Sequence, residues 1–118
     1  MVISRTPFRI SFFGGGTDYP VWFDQNRGKV ISTTSNKYCY ITTRFLSPLF
    51  VYRYRIRYTF QEKRNDLSKI RHPSVRECLR YLNLGNERIE MQHNADWPAR
   101  SGLGSSSAFT VGFLNSLC

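Results

Sequence analysis

One short stretch of this chain carries residue types suited to phosphate chemistry. "ARSGLGSSSA" (Ala99 to Ala108) sets Gly102 and Gly104 before three consecutive serines, Ser105 to Ser107, and "TVGFLNSLC" after it reads as the opening turns of a helix. Glycines let backbone N–H groups approach an anion with no Cβ in the way, and serines add hydroxyls and further amides. At a helix N-terminus, unpaired amides and the macrodipole both favour negative charge. A serine hydroxyl is also a suitable oxygen ligand for a phosphate-bound Mg²⁺. The plainer alternative is a serine-capped helix behind an ordinary loop. Two familiar glycine motifs do not fit: no Gly-Lys-Ser/Thr follows, and the third glycine of the dinucleotide fingerprint is missing. A second stretch, the triplet Gly14 to Gly16, supplies free backbone for a turn or a ligand cradle.

The elements that must hold these stretches follow from periodicity. Val2 to Ser4 begins a strand that "FRISFF" (Phe8 to Phe13) continues up to the glycines. "YPVWFDQNRG" (Tyr19 to Gly28) reads as a short helix ended by Gly28, and Lys29 to Leu46 as two strands meeting near Ser35 to Lys37. Over Leu49 to Phe60, Tyr52, Tyr54, Ile56 and Tyr58 alternate with Arg53, Arg55 and Arg57, giving a strand with an aromatic face and a cationic one. Gln61 to Ile70 is polar and loop-like. Pro73 then opens a helix that closes before Gly85, with Val75, Cys78, Leu79 and Leu82 as its buried stripe. Glu87 to Asn94 alternates again as a strand. The sum is an α+β pattern with no internal repeat and no linker.

At 118 residues, 41% of them hydrophobic and 15% aromatic, the chain suits one small domain with a real core. Seventeen Lys and Arg against eight Asp and Glu give +9, and thirteen of the cations are arginines, suited to forked contacts with phosphate. That charge fits a solvated surface, a phosphorylated ligand or nucleic acid. Cys39, Cys78 and Cys118 match neither a disulfide framework nor a metal spacing. No signal core and no run of membrane-spanning length is present, so no membrane partner and a cytoplasmic setting are the expectation.

"PARSGLGSSSA" (Pro98 to Ala108) resembles the P-x-x-x-G-L-G-S-S-A motif of the GHMP kinases, the superfamily of galactokinase, homoserine kinase and mevalonate kinase. The resemblance implies that Pro98, Arg100, Ser101, Gly102, Leu103, Gly104, Ser105, Ser106 and Ser107 bind ATP, with Ser106 contacting Mg²⁺; Ser107 stands where many members have alanine. "TPFRISFFGGGTDYP" (Thr6 to Pro20) is similar to the family's first motif. By that similarity Arg9 lies close to the reacting groups as a charge-stabilising catalytic residue, and Gly15, Gly16, Thr17, Asp18 and Tyr19 bind the sugar, Asp18 through its hydroxyls. Gly15 and Gly16 replace a Glu-His pair used for galactose, which argues against galactose and leaves room for a bulkier or phosphorylated sugar. For Asp18 an Asx-type turn remains the alternative, and for Arg9 a surface cation on an edge strand. The wording of both motifs, with "STTSNKYCYIT" and "HPSVRE", resembles most closely the D-glycero-D-manno-heptose 7-phosphate kinases, which act at C1 for bacterial capsule, S-layer or lipopolysaccharide synthesis.

The fold so implied is the superfamily's N-terminal ATP-binding domain over residues 1–118: a ribosomal-protein-like, two-layer α+β fold with an antiparallel-rich sheet and a left-handed βαβ unit. It would be truncated, with the C-terminal domain absent and the general base expected beyond Cys118. On that reading Phe109, Val111, Phe113, Leu114 and Leu117 lose partners, and the open helix invites self-association or a non-catalytic role. The "RYRIR" cations could attract a sugar phosphate or simply solvate the strand, and Tyr38, Tyr40, Tyr52 and Tyr54 read as core or sheet surface. A basic nucleic-acid-binding module is the rival class. The alternation in "VYRYRIRY" counts against it, because it sends tyrosines and arginines to opposite faces.

Overall fold

The computed structural model describes residues 1–99 and 104–118. Five strands form one sheet in the order β1-β2-β5-β3-β4: β1 Val2–Phe13, β2 Ile31–Phe45, β3 Tyr54–Arg57, β4 Gln61–Arg64 and β5 Ile89–Ala95. Neighbours pair antiparallel except β3 and β5, which run parallel and need the crossover that β4 and the helix α2 (Pro73–Tyr81) provide. A one-turn helix, α1 (Pro20–Phe23), and a longer one, α3 (Ser105–Leu117), complete the set. The two-layer α+β architecture matches the expected fold class.

Several boundaries differ from the sequence expectation, each for a local reason. Lys29 to Leu46 forms one strand, not two. Pro7 pairs with Tyr38 and Arg9 with Thr34, so Ser35 to Lys37 bulge out of the ladder opposite a single residue instead of turning the chain. The strand expected over Leu49 to Phe60 shrinks to Tyr54–Arg57, and Leu49 and Val51 lie in solvent. Gln61 to Ile70 holds a strand where a loop was expected, because Glu62 is an internal anchor. Its buried carboxylate accepts from Tyr58 Oη (3.1 Å), the Arg71 amide (3.0 Å) and the His72 amide (3.3 Å). The helix expected over Tyr19 to Gly28 is the single turn α1, preceded by a 3₁₀ turn at Gly15–Asp18.

Helix α2 has three of the four residues of the stripe expected of it buried, Val75, Cys78 and Leu79, whereas Leu82 falls at the helix end and is half-buried. His72 caps its start, Nδ1 accepting from the Val75 amide at 3.4 Å. Its end is set by Asn83, at φ 56, and not by Gly85. Asn83 N–H reaches Arg80 O (3.0 Å) and Leu84 N–H reaches Leu79 O (2.9 Å), the paired bonds of a Schellman ending.

Helix α3 lies across the inner face of β1 and β2. A Cβ on Gly112 would stand 2.7 Å from Thr6 Oγ1 and 3.4 Å from Ser4 Oγ, so the missing side chain lets the helix approach the sheet. The hydroxyl of Thr43 donates to Ser116 O at 3.0 Å and fixes the far end. Phe109 and Phe113 are buried in the main core with Ile41, Tyr54, Ile56, Leu79 and Met91. The expectation that α3's apolar residues lose their partners is therefore corrected: Val111, 59% exposed, is the large apolar side chain that α3 leaves in solvent among the described residues.

Candidate functional site

Arg9 links the start of α3 to the turn that follows the glycine triplet. Gly104 adopts the left-handed conformation (φ 72, ψ 28) and begins the helix, its carbonyl accepting the first intrahelical bond from the Ala108 amide at 2.9 Å. Glycine brings no capping oxygen, and among the described residues no side chain caps this end and no acid stands in its first turn. The opening amides of α3 thus keep their donors and their partial positive charge for an outside acceptor.

Beside that end lies Arg9. A Cβ on Gly104 would stand 3.6 Å from Arg9 Cβ and 3.9 Å from its Nε, ordinary contact distances. Arg9 Nη1 in turn faces Asp18 Oδ2 at 3.9 Å, with both side chains roughly half exposed (48% and 43%). A pair so exposed adds little stability. Its effect is on placement, holding a cation and a carboxylate side by side next to an uncapped helix.

Asp18 is carried by the glycine turn. Gly14 is left-handed (φ 84), and a Cβ there would fall 1.8 Å from Lys29 O, so no other residue fits. Thr17 closes the turn: its amide and its hydroxyl both donate to Gly14 O, at 3.0 and 2.7 Å, and the hydroxyl lies 3.3 Å from Lys29 O. Gly16 meets nothing within 4 Å of a hypothetical Cβ and stays open, and Tyr19 projects into solvent.

An open groove of about 560 Å³ runs away from the start of α3, lined by Ser105 and Ser106 and by the rings of Phe8, Tyr58, His72, His93, Trp97 and Phe109. Trp97 stacks on Phe8 with centroids 5.6 Å apart, and His72 stacks on Phe109 at 4.8 Å. His93 meets Phe109 edge-on at 5.1 Å. Burial lowers the pKa of both imidazoles; the Glu62 carboxylate partly counters this at His72, and His72 itself lowers His93 further. Both therefore favour the neutral form. A planar group could enter this groove with a polyanionic tail reaching α3.

The loop start is pinned from the other side: Tyr38 N–H donates to Asp96 Oδ2 (2.8 Å), and Asp96 N–H donates to Tyr38 O (3.0 Å). Pro98 is exposed, as are Ser106 and Ser107, whereas Arg100, Ser101, Gly102 and Leu103 lie outside the described residues. The structure thus brings Arg9, Asp18, Gly104, Ser105 and Ser106 into one neighbourhood. The aromatic and histidine lining was missed in the sequence. Its one legible signal was His93, which continues the inward alternation of Ile89 and Met91 in β5. A second open groove, between α2 and α3 at Cys78, Tyr81 and Leu114, holds none of the motif residues.

Solved structures share this arrangement of elements. A D-glycero-D-manno-heptose 1-phosphate kinase from Bacteriodes thetaiotaomicron superposes with a TM-score of 0.82 at 24% identity, over 99% of this chain and 41% of its own. The fold is that of the GHMP kinase N-terminal domain. A mevalonate kinase (TM-score 0.68, 16% identity, 99% of this chain and 40% of its own) and a protein from Campylobacter jejuni assigned as a sugar kinase (0.65, 21%, 98% and 39%) agree. This chain spans about two fifths of the length of each. No family model matches the sequence, and no curated protein matches it either.

Proposed function

We propose that this chain carries the ATP-phosphate site and the sugar-orienting residues of an ATP-dependent sugar kinase, with a phosphorylated heptose as the acceptor. The observation that supports this most is the uncapped, glycine-started N-terminus of α3 beside the Arg9–Asp18 pair. Phosphoryl transfer asks chiefly for positioning and charge stabilisation, which such groups supply. The opening amides of α3 and the hydroxyls of Ser105 and Ser106 would hold the β- and γ-phosphates. The ring-lined groove would take the base. Arg9 would offset negative charge between donor and acceptor, and Asp18 would accept hydrogen bonds from sugar hydroxyls.

Among the described residues no three His, Cys, Asp or Glu side chains converge as a metal set. By the motif resemblance a Mg²⁺ would rest on the phosphates and the Ser106 hydroxyl, and its chemistry when bound would be to neutralise phosphate charge. No general base is assigned.

The similar heptose kinase is named for the 1-phosphate, whereas the motif wording of this chain implies attack at C1 of the 7-phosphate. Thermal-shift titration with each of the two heptose phosphates, in the presence of Mg·ATP, tests the reading. Stabilisation by the 7-phosphate that Asp18→Asn abolishes is expected. Stabilisation by the 1-phosphate alone would move the acceptor assignment, and no response to any sugar phosphate would contradict the sugar-kinase reading.

A further inference from the structure

Helices α2 and α3 cover one face of the sheet; the other face is open and basic. Strand register fixes which side chains share it. Lys63 of β4, Arg55 of β3, Glu90 of β5 and Arg44 of β2 lie in one row across four strands. Arg57, Gln92, Thr42 and Ile3 form the next row, and Asn94, Tyr40 and Arg5 the one beyond. The burial pattern agrees, since Tyr54, Ile56, Ile89, Met91, Cys39 and Ile41 alternate with these positions and point into the core.

These three rows therefore hold five cations against one carboxylate, and a second, Asp96, lies just past β5 beside Tyr38, accepting from its amide. Glu90 is already matched, with Arg44 Nη2 at 2.8 Å and Arg55 Nη1 at 3.8 Å. Arg5, Arg57 and Lys63 are exposed and unmatched by any acid among the described ion pairs. The Nε of Arg55 has no hydrogen-bond partner. Two half-buried rings lie on the same face: Tyr38 and Tyr40, centroids 6.2 Å apart, with the Arg5 guanidinium 4.6 Å over Tyr38. Alternation within β3 separates tyrosines from arginines, which argued against nucleic acid in the sequence. Strand β2, which β5 separates from β3, restores the mixture, because Tyr40 points outward directly opposite Arg5 of β1.

We infer that the open face of the sheet binds single-stranded RNA through cations that meet phosphates and tyrosines that stack bases. Stacked rings tolerate any base, and an open sheet about 19 Å across, at about 4.8 Å per strand, spans several nucleotides. Charge complementarity selects a polyanion, and the paired tyrosines select one with exposed bases over a duplex or an acidic protein. The phosphate site at α3 is not involved.

The test is fluorescence anisotropy with a labelled single-stranded RNA of about twelve nucleotides, beside a duplex of equal length and a poly-glutamate of equal charge. Saturable binding is expected, weakening as salt rises with a slope of about −2 to −3 in log–log form for three free cations. Tyr40→Leu, which keeps bulk but removes the ring, should weaken binding about tenfold. Arg57→Glu, on an exposed side chain, should weaken it further and flatten the salt slope. Saturating Mg·ATP should leave binding unchanged. Three results would overturn the inference: no binding at low salt by folded protein, equal affinity for duplex or poly-glutamate, or loss in Arg57→Glu with none in folded Tyr40→Leu.

Discussion

The three consecutive glycines are not equivalent, and substituting them one at a time separates backbone geometry from ligand access. At Gly14 an alanine meets two obstacles. The left-handed conformation (φ 84) costs about 1–2 kcal/mol for a residue with a Cβ. The Cβ would also lie 1.8 Å from Lys29 O, a backbone atom that cannot rotate away. Relief must come from lifting the turn off the Lys29 segment, which breaks the Thr17 hydroxyl contact with Lys29 O. Nothing in Gly15–Asp18 or Pro20–Phe23 is buried, so the turn can lift without opening the core, and this bounds the loss. A total of about 2–3 kcal/mol follows, or a fall in Tm of about 8–12 °C at roughly 4 °C per kcal/mol for a chain of this size. Gly16→Ala meets no atom within 4 Å, so its Tm should stay within about 2 °C of wild type. Thermal unfolding by circular dichroism, with hydrogen exchange over residues 11–31, reads both effects. Gly14→Ala should also speed exchange through the turn. Equal Tm values for the two variants would show that neither the left-handed φ nor the Lys29 carbonyl constrains Gly14, because the variants differ only in what their new methyl groups meet and in backbone φ.

Three further outcomes follow from the packing. Glu62→Ala removes the acceptor of two amides and a tyrosine hydroxyl and should cost about 3 kcal/mol in urea unfolding. Glu62→Gln, which keeps one acceptor oxygen, should cost about half as much. Gly112→Ala should lower stability by about 1 kcal/mol despite its better helix propensity, because the methyl group meets Thr6 Oγ1 at 2.7 Å; a gain in stability would mean that Thr6 turns away freely. His72 and His93 both have pKa values lowered from 6.5, chiefly by burial. The unfolded chain therefore takes up protons first, so stability holds above pH 6.5 and falls as pH drops from there toward the lowered folded values. A Tm profile that stays flat from about pH 7 to about pH 5 would contradict this.

Much of the fold was legible because its strands and helices obey simple periods. Ile89, Met91 and His93 alternate, and Val75, Cys78 and Leu79 recur at helical spacing. What could not be read depends on partners distant in sequence. Strand β4 looks like a loop because its one internal residue is a carboxylate, and the donors that make that burial tolerable, the Tyr58 hydroxyl and the amides of Arg71 and His72, are not visible in its own pattern. The bulge at Ser35 to Lys37 is legible only against Pro7 and Arg9 on the neighbouring strand. The glycine and serine positions of the candidate site were visible as motifs, whereas the groove beside them draws its rings from both ends of the chain. No local spacing joins Phe8 to Trp97 or His72 to Phe109.

On the proposed function, the start of α3 and its adjoining groove form a site for the phosphates and base of ATP. Calorimetric titration of the chain with Mg·ATP, and in parallel with adenosine, tests it most directly. Saturable Mg·ATP binding, much weaker binding of adenosine, and about tenfold loss of Mg·ATP affinity on Arg9→Ala are the predicted result. No heat from Mg·ATP with protein shown to be folded, or equal affinity for adenosine, would contradict the account.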